Sequence, residues 1–167
     1  LDAVFTPNPI AAGFPTGDDP VLIDISTSAT TNGLTNRLHR EGGLLPAAWL
    51  IDGDGKPSND PKVLFAEPKG TILPLGGIDS GHKGFGLSLL VEALTGGLAG
   101  HGRADPKEGW GASVFLQMID PRAFGGADQF TRQMGTIAGR CHESRPARPG
   151  RRPRSGGRAR AAWSPVS

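Results

Sequence analysis

A short aliphatic run at residues 21–25 is the feature that most constrains the fold of this chain. Proline, glycine and aspartate residues that form turns precede the run at residues 15–20. A run of this length, rich in β-branched residues and bounded by turn residues, predicts a buried strand. A helix should follow towards residue 40 and end at the glycines 42–43. One of three hydroxyl residues is expected to cap that helix: Ser26, Thr27 or Ser28.

Further periodic segments predict that strands and helices alternate along the chain. Residues 51–61 form a polar loop. Apolar residues recur at helical spacing within 84–96, so one face of that helix should be buried. We expect a strand at 113–119 and a last helix at 128–140, with Asp128 as its N-cap. This alternation is typical of an α/β layer arrangement.

Composition changes abruptly near residue 140. Eight of the 18 Lys and Arg residues lie from residue 140 onward, but only one of the 16 acids does. Ten basic and fifteen acidic residues remain before that point, a net charge of about −5. We therefore divide the chain into a mildly acidic folded portion at 1–140 and an Arg/Pro/Gly-rich tail at 141–167, which should be disordered.

The tail allows three interpretations. It could be an arm for nucleic acid or another acidic partner, a solvated tail, or the product of translation in a shifted frame. The acidic folded portion argues against binding nucleic acid itself. No apolar stretch approaches the roughly 20 residues of a membrane helix. A lone cysteine, Cys141, fits a reducing compartment, so we expect a soluble, cytoplasmic protein, and a fragment because it begins with Leu.

Two features could carry chemistry. The glycine-rich segment 76–86 contains Lys83 and precedes a predicted helix, but it lacks both the Walker A and the Rossmann glycine spacing. Two interpretations remain open: anion binding by Lys83 together with the helix N-terminus, and a glycine-rich turn with a solvated lysine. Asp24 could orient a histidine or hold a ribose hydroxyl, or it could simply cap a helix. The histidines and the single cysteine show no metal-ligand spacing, so no metal is expected.

Several ordered motifs resemble those of the malate/L-lactate dehydrogenase type-2 family. Its relatives include ureidoglycolate dehydrogenases, diketogulonate reductases and piperideine-carboxylate reductases. The likeness covers about residues 1–140. Its motifs are Asn-Pro-Ile-Ala at 8–11, Ile-Asp-Ile-Ser-Thr-Ser at 23–28, Leu-Pro-Leu-Gly-Gly at 73–77, Gly-His-Lys-Gly at 81–84 and Phe-Thr-Arg-Gln-Met at 130–134.

The resemblance implies a non-Rossmann α/β dehydrogenase fold, present here as a C-terminal portion. It also implies a homodimer that transfers hydride between NAD(P) and a small 2-hydroxy or 2-keto acid. The family's relay acid, which orients a catalytic histidine, matches Asp24. Its cofactor-binding positions match Pro15, Thr16, Gly17, Asp18, Ser26, Thr27, Ser28, His82 and Lys83.

Departures from the family pattern refine these expectations. Asp18 and Asp19 stand in the turn where NADPH-using relatives can place a basic or neutral group near the 2′-phosphate. A carboxylate there favours the ribose hydroxyl of NAD, so NAD is expected over NADP. No Ser-His-Gly element precedes residue 5, so the chain alone is expected to be inactive. The alternatives are a dinucleotide- or anion-binding module with a basic tail, and a non-functional truncated product.

Overall fold

Strands β1 (Pro9–Phe14) and β2 (Val21–Ser26) pair into a two-stranded sheet. The computed structural model describes residues 4–105 and 111–144 of the chain. The predicted strand is confirmed, but its predicted burial is wrong, since Leu22 is 37% and Ile25 42% exposed. Two strands without a third neighbour among the described residues cannot cover both of their faces.

The chain divides into two units that are described separately. Unit 1 comprises Leu1–Ile10 and Ser26–Phe115, and unit 2 comprises Ala11–Ile25 and Leu116–Ser167. In the described part of the chain, no helix is long and apolar enough to cross a membrane. The tail predicted at 141–167 lies outside the described residues from 145 onward.

Helix α1 (Asn32–Glu41) of unit 1 begins later than predicted. Its N-cap is Thr31, whose hydroxyl accepts a hydrogen bond from Leu34 N, so the caps predicted at residues 26–28 are wrong. Thr27 and Ser28 instead continue the extended chain beyond β2 and pair with residues 74 and 75. The predicted end is confirmed: Gly42 adopts φ 68°, a left-handed conformation that glycine reaches without strain.

A three-stranded antiparallel sheet holds the core of unit 1. Strand β3 (Leu50–Ile51) lies between β4 (Pro57–Ser58) and β5 (Thr71–Ile72), with Leu50 opposite Ser58 and Ile72. The predicted polar loop at 51–61 therefore contains a hairpin turn, followed by a 3₁₀ helix at Pro61–Leu64. The buried apolar side chains of the described residues are those of Leu45, Leu50, Pro61 and Leu73.

Helix α2 (Gly77–Glu92) starts seven residues before its predicted start and runs into a π-helical turn at Ala93–Gly97. Its buried residues are Gly81, Gly84 and Ser88. Leu90, expected on the buried face, is instead 51% exposed. The helix comes so close to the backbone of residues 27 and 75 that a leucine side chain would not fit between them, so small residues occupy this face.

Unit 2 contains helix α3 (Ala127–Glu143), preceded by a 3₁₀ helix at Pro121–Ala123. The helix is confirmed, but its N-cap is Gly126 rather than Asp128, which lies in the first turn. The strand predicted at 113–119 is wrong: the segment pairs with no other described residue, and Val114 and Met118 are 86% and 89% exposed. An apolar segment becomes a strand only where a neighbour accepts its hydrogen bonds.

The close approach of α2 predicts that Gly84→Ala is strongly destabilising. A Cβ at Gly84 would lie 2.6 Å from Leu75 O and 2.8 Å from Thr27 O, which is a clash with backbone atoms. We expect the free energy of unfolding in urea to fall by at least about 2 kcal/mol. The control is Gly86→Ala in the same helix, where nothing lies within 4 Å. Alanine should raise stability there by up to about 1 kcal/mol, and equal effects at both positions would contradict the packing described.

Candidate functional site

Thr27 joins three segments of unit 1 through all of its polar groups. Its side chain and backbone are 1% exposed. Its N–H donates to Asn8 O at 3.0 Å, and its carbonyl accepts from Leu75 N at 2.9 Å. Its hydroxyl accepts from Ser88 Oγ of α2 at 2.8 Å. Three of the motif segments singled out in the sequence, at 8–11, 23–28 and 73–77, therefore meet at one buried residue.

The pairing between residues 27–29 and 73–75 continues on both sides of Thr27. Ala29 N donates to Leu73 O at 2.8 Å, and Ser28 forms an isolated antiparallel bridge with Pro74. Leu73 N in turn donates to Trp49 O at 2.9 Å, next to β3. This ladder holds the segment after β2 on the core sheet, which is why the segment does not become the first turn of α1.

Ser26 and Ser28 form a hydroxyl pair at the edge of this ladder. Their Oγ atoms lie 2.7 Å apart, and both side chains are half-buried. Ser28 N donates to Ser26 Oγ at 3.2 Å, and Ser28 Oγ donates to Thr30 O. The two hydroxyls are thus held by their own backbone and not by a distant element.

A second network fixes Asn8 from its side-chain end. Asn8 Nδ2 donates to Glu92 Oε1 at 2.9 Å, and Arg103 also donates to that carboxylate oxygen. The Arg103 guanidinium lies 5.7 Å from the centroid of the Phe5 ring, which packs against Phe85 at 5.1 Å. The hydrogen bond from Arg103 lowers the pKa of Glu92, against the opposing effect of burial, and Asn8 lowers it further.

His82 and Lys83 are both exposed on α2. They lie away from the face formed by Gly81 and Gly84, and their side chains make no hydrogen bond to residues 4–105 or 111–144. Helix α2 is interrupted at Ser80, whose φ of −130° and ψ of 19° are not helical, so Lys83 lies in the first turn of the helical segment that follows. Lys83 thus stands close to a helix N-terminus, while anion binding there stays a prediction.

In unit 2, the predicted cofactor residues form a tight turn between β1 and β2. Thr16 Oγ1 accepts from Asp18 N at 3.0 Å and donates to Asp19 O at 2.9 Å. Pro15 and Gly17 are exposed beside it. This local pair of hydrogen bonds fixes the turn without help from another element.

Asp24, the expected relay acid, lies on β2 with an exposed side chain. It makes no hydrogen bond or ion pair to any residue within the two described stretches. An exposed carboxylate needs no buried partner, so the desolvation argument made from the sequence does not apply. Its oxygens are available to accept hydrogen bonds from a group that approaches from outside.

A shallow depression of about 450 Å³ lies within unit 2, between the turn and α3. Arg132 is the cationic residue of its lining, and Gln129 Oε1 accepts two hydrogen bonds from its guanidinium, at 2.8 and 3.1 Å. Asp18 and Asp128 belong to the same lining, so two carboxylates and one guanidinium face this space. The complete lining is Gly17, Asp18, Asp128, Thr131, Arg132 and Gly135.

The family model described as malate/L-lactate dehydrogenase matches residues 1–164 of this chain. The chain belongs to this family. The α/β dehydrogenase fold predicted from the sequence is confirmed as well. The solved structures that the chain resembles are dehydrogenases and reductases of the same type, and the described residues form a mixed α/β structure. Within those residues, no cluster of three or more His, Cys, Asp or Glu side chains could hold a metal ion.

Individual relatives agree with this assignment. The chain is 35% identical over 134 residues to an L-sulfolactate dehydrogenase of Methanothermobacter thermautotrophicus, covering 76% of this chain and 37% of the relative. It is 31% identical over 151 residues to an L-lactate dehydrogenase of Cupriavidus necator, covering 87% and 42%. A crystal structure of Δ1-piperideine-2-carboxylate reductase from Pseudomonas syringae matches with a TM-score of 0.65 and 32% identity, covering 84% and 43%. The chain thus spans about two fifths of the length of these relatives.

Sequence reasoning missed the residues that hold the site together. Gly84 and Ser88 are small residues four positions apart, a spacing that could have indicated a close helix contact. No local signal pairs Glu92 with Asn8, because 84 positions separate them. Arg132 lies within a motif of the family resemblance, but only the structure places it beside the turn.

The Glu92 network predicts a pH-dependent contribution to stability. A carboxyl whose pKa is lower in the folded than in the unfolded state stabilises the fold above the unfolded value, and this stabilisation is lost as pH falls through the folded pKa. Glu92→Gln should therefore lower the free energy of unfolding by about 1 kcal/mol at pH 7. The difference from the unmodified chain should disappear at low pH.

Urea unfolding of both chains between pH 7 and pH 3 measures this difference. Glu67→Gln, which changes an exposed carboxylate outside the network, serves as the control and should show no such trend. A Glu92→Gln effect that stayed constant across this pH range would contradict the assigned ion pair.

Proposed function

We propose that this chain is the dinucleotide-binding portion of an oxidoreductase that transfers hydride between NAD and a small 2-hydroxy or 2-keto acid. Membership of the malate/L-lactate dehydrogenase family supports the reaction class. The single observation that carries the proposal is the convergence at Thr27, where separate family-like motifs are hydrogen-bonded into one buried junction. Such a junction gives the adjoining exposed residues a rigid base.

Unit 1 offers groups that suit parts of a dinucleotide. Ser26 and Ser28 present half-buried hydroxyl oxygens next to the buried Thr27. Lys83 carries an exposed ammonium that can attract a pyrophosphate, and His82 lies beside it. We assign Ser26, Ser28, His82 and Lys83 to direct cofactor contact, and the buried Thr27 to holding them in place. When bound, the nicotinamide supplies or accepts the hydride, while the residues of this chain hold and orient it.

Unit 2 offers a separate set of groups. We assign Pro15, Thr16, Gly17 and Asp18 to the adenosine portion of the cofactor, because their turn is internally hydrogen-bonded and borders an open depression. The Asp18 carboxylate can accept hydrogen bonds from a ribose 2′-hydroxyl and would repel a 2′-phosphate. NAD is therefore the proposed cofactor in preference to NADP.

Asp24 is proposed as a positioning residue. Its exposed carboxylate can accept a hydrogen bond from a ring N–H of a histidine, which fixes the tautomer and stabilises the protonated ring. That histidine would donate a proton to the keto oxygen as hydride arrives at the carbon. Homodimer formation and a cytoplasmic location remain predictions from the family resemblance and the composition.

Dinucleotide binding by the purified chain tests the proposal directly. Calorimetric titration with NADH should show saturable binding, and Lys83→Met should weaken it about tenfold because one charge next to a phosphate is lost. Lys56→Met, which removes an exposed lysine from the turn between β3 and β4, should leave affinity unchanged. If neither NADH nor NADPH binds, the proposed function is wrong.

The cofactor preference has its own test. Asp18→Asn should raise NADPH affinity by about five- to tenfold relative to NADH, since it removes a negative charge facing the 2′-phosphate. Competition titrations with both reduced cofactors measure the ratio of dissociation constants. Asp54→Asn, at another exposed turn, is the matched control. Tighter binding of NADPH than NADH by the unmodified chain would refute the preference for NAD.

A further inference from the structure

The hydroxyl pair of Ser26 and Ser28 has a hydrogen-bonding direction that the heavy-atom geometry determines. A serine hydroxyl has one proton to donate and two lone pairs that accept. Ser28 Oγ uses its proton on Thr30 O, which is a carbonyl and can only accept. The 2.7 Å contact between the two hydroxyls must therefore be donated by Ser26 and accepted by Ser28.

Neither hydroxyl has a proton left to donate once these hydrogen bonds are formed. One lone pair of Ser26 accepts from Ser28 N, and one lone pair of Ser28 accepts from Ser26. Each oxygen retains one lone pair, and both side chains keep part of their surface exposed. The pair is thus an acceptor-only surface with two acceptor atoms 2.7 Å apart.

We propose that Ser26 and Ser28 form a binding site for a ligand group that carries two adjacent hydrogen-bond donors, such as a ribose diol or an amide NH₂ group. This inference rests on the proposed function, to which it adds the part of the dinucleotide that the pair recognises. A phosphate or carboxylate oxygen would meet lone pairs instead of donors, so the site excludes the pyrophosphate. The anionic part of the cofactor must be held by other groups.

Small probes distinguish the possible donors. Amide NMR spectra of the whole chain would be recorded with ribose 5-phosphate, which carries a diol, with nicotinamide, which carries an amide NH₂, and with inorganic phosphate. We expect one of the first two probes to shift the signals of residues 26–28 in a saturable way, and phosphate to leave them unchanged. The probe that produces the shifts identifies the donor group.

Two variants test the inferred proton direction, because only one of them should gain binding of inorganic phosphate. Ser26→Ala removes one acceptor while Ser28 keeps its proton on Thr30 O, so affinity for the active probe should fall about three- to tenfold with no gain for phosphate. Ser28→Ala frees the Ser26 proton, so phosphate should begin to shift residue 26. A general loss of structure cannot produce this asymmetry.

Two further variants control for folding and for the hydroxyl itself. Ser28→Thr keeps the hydroxyl and should bind the active probe with the affinity of the unmodified chain. Ser58→Ala, which removes a hydroxyl in β4 that accepts from Asp60 N, should change no probe affinity. The dispersion of the amide spectrum verifies that each variant is folded.

Each outcome separates this inference from the proposed function. If inorganic phosphate shifts residues 26–28 as strongly as ribose 5-phosphate does, or if no probe shifts them, the inference is overturned. If NADH binds but leaves these signals unchanged, the inference is overturned while the proposed function stands. If ribose 5-phosphate or nicotinamide binds there but neither NADH nor NADPH does, the inference stands and the proposed function is wrong.

Discussion

The hydrogen bonds of one buried threonine organise unit 1. Thr27 bonds to the start of the chain, to the segment after β5 and to α2 through its N–H, its carbonyl and its hydroxyl. A buried polar group without a partner is costly, so all three neighbours must be in place for the residue to be satisfied. The few buried leucines of the described residues add little redundancy to this arrangement.

This constraint explains the unusual inner face of α2. The helix must come close enough for Ser88 to reach Thr27, and at that distance Gly84 meets the backbone of residues 27 and 75 directly. Larger apolar residues are thereby displaced to outer positions, where Leu89 and Leu90 are more than half exposed. The glycines of the Gly-His-Lys-Gly motif thus have a packing role, whereas its His82 and Lys83 are exposed.

The same arrangement separates buried from exposed polar groups within one short segment. Thr27 is turned inward and fully bonded, while Ser26 and Ser28 on either side keep acceptor oxygens at the surface. Alternation along an extended backbone produces this division, because neighbouring side chains point to opposite faces. In unit 2, Asp18 and Asp128 share one depression with Arg132, so carboxylates outnumber the guanidinium there.

The sequence alone determined the family, the presence of β2, α1 and α3, and the glycine that ends α1, because these depend on local patterns and ordered motifs. Only the tertiary structure decided which hydroxyl caps α1, where α2 begins and that 113–119 forms no strand. Those outcomes depend on partners distant in the chain: the backbone near Thr27 takes the residues expected as caps, and an apolar segment without a neighbour remains unpaired. The link between Asn8 and Glu92, 84 positions apart, likewise exists only once the chain has folded.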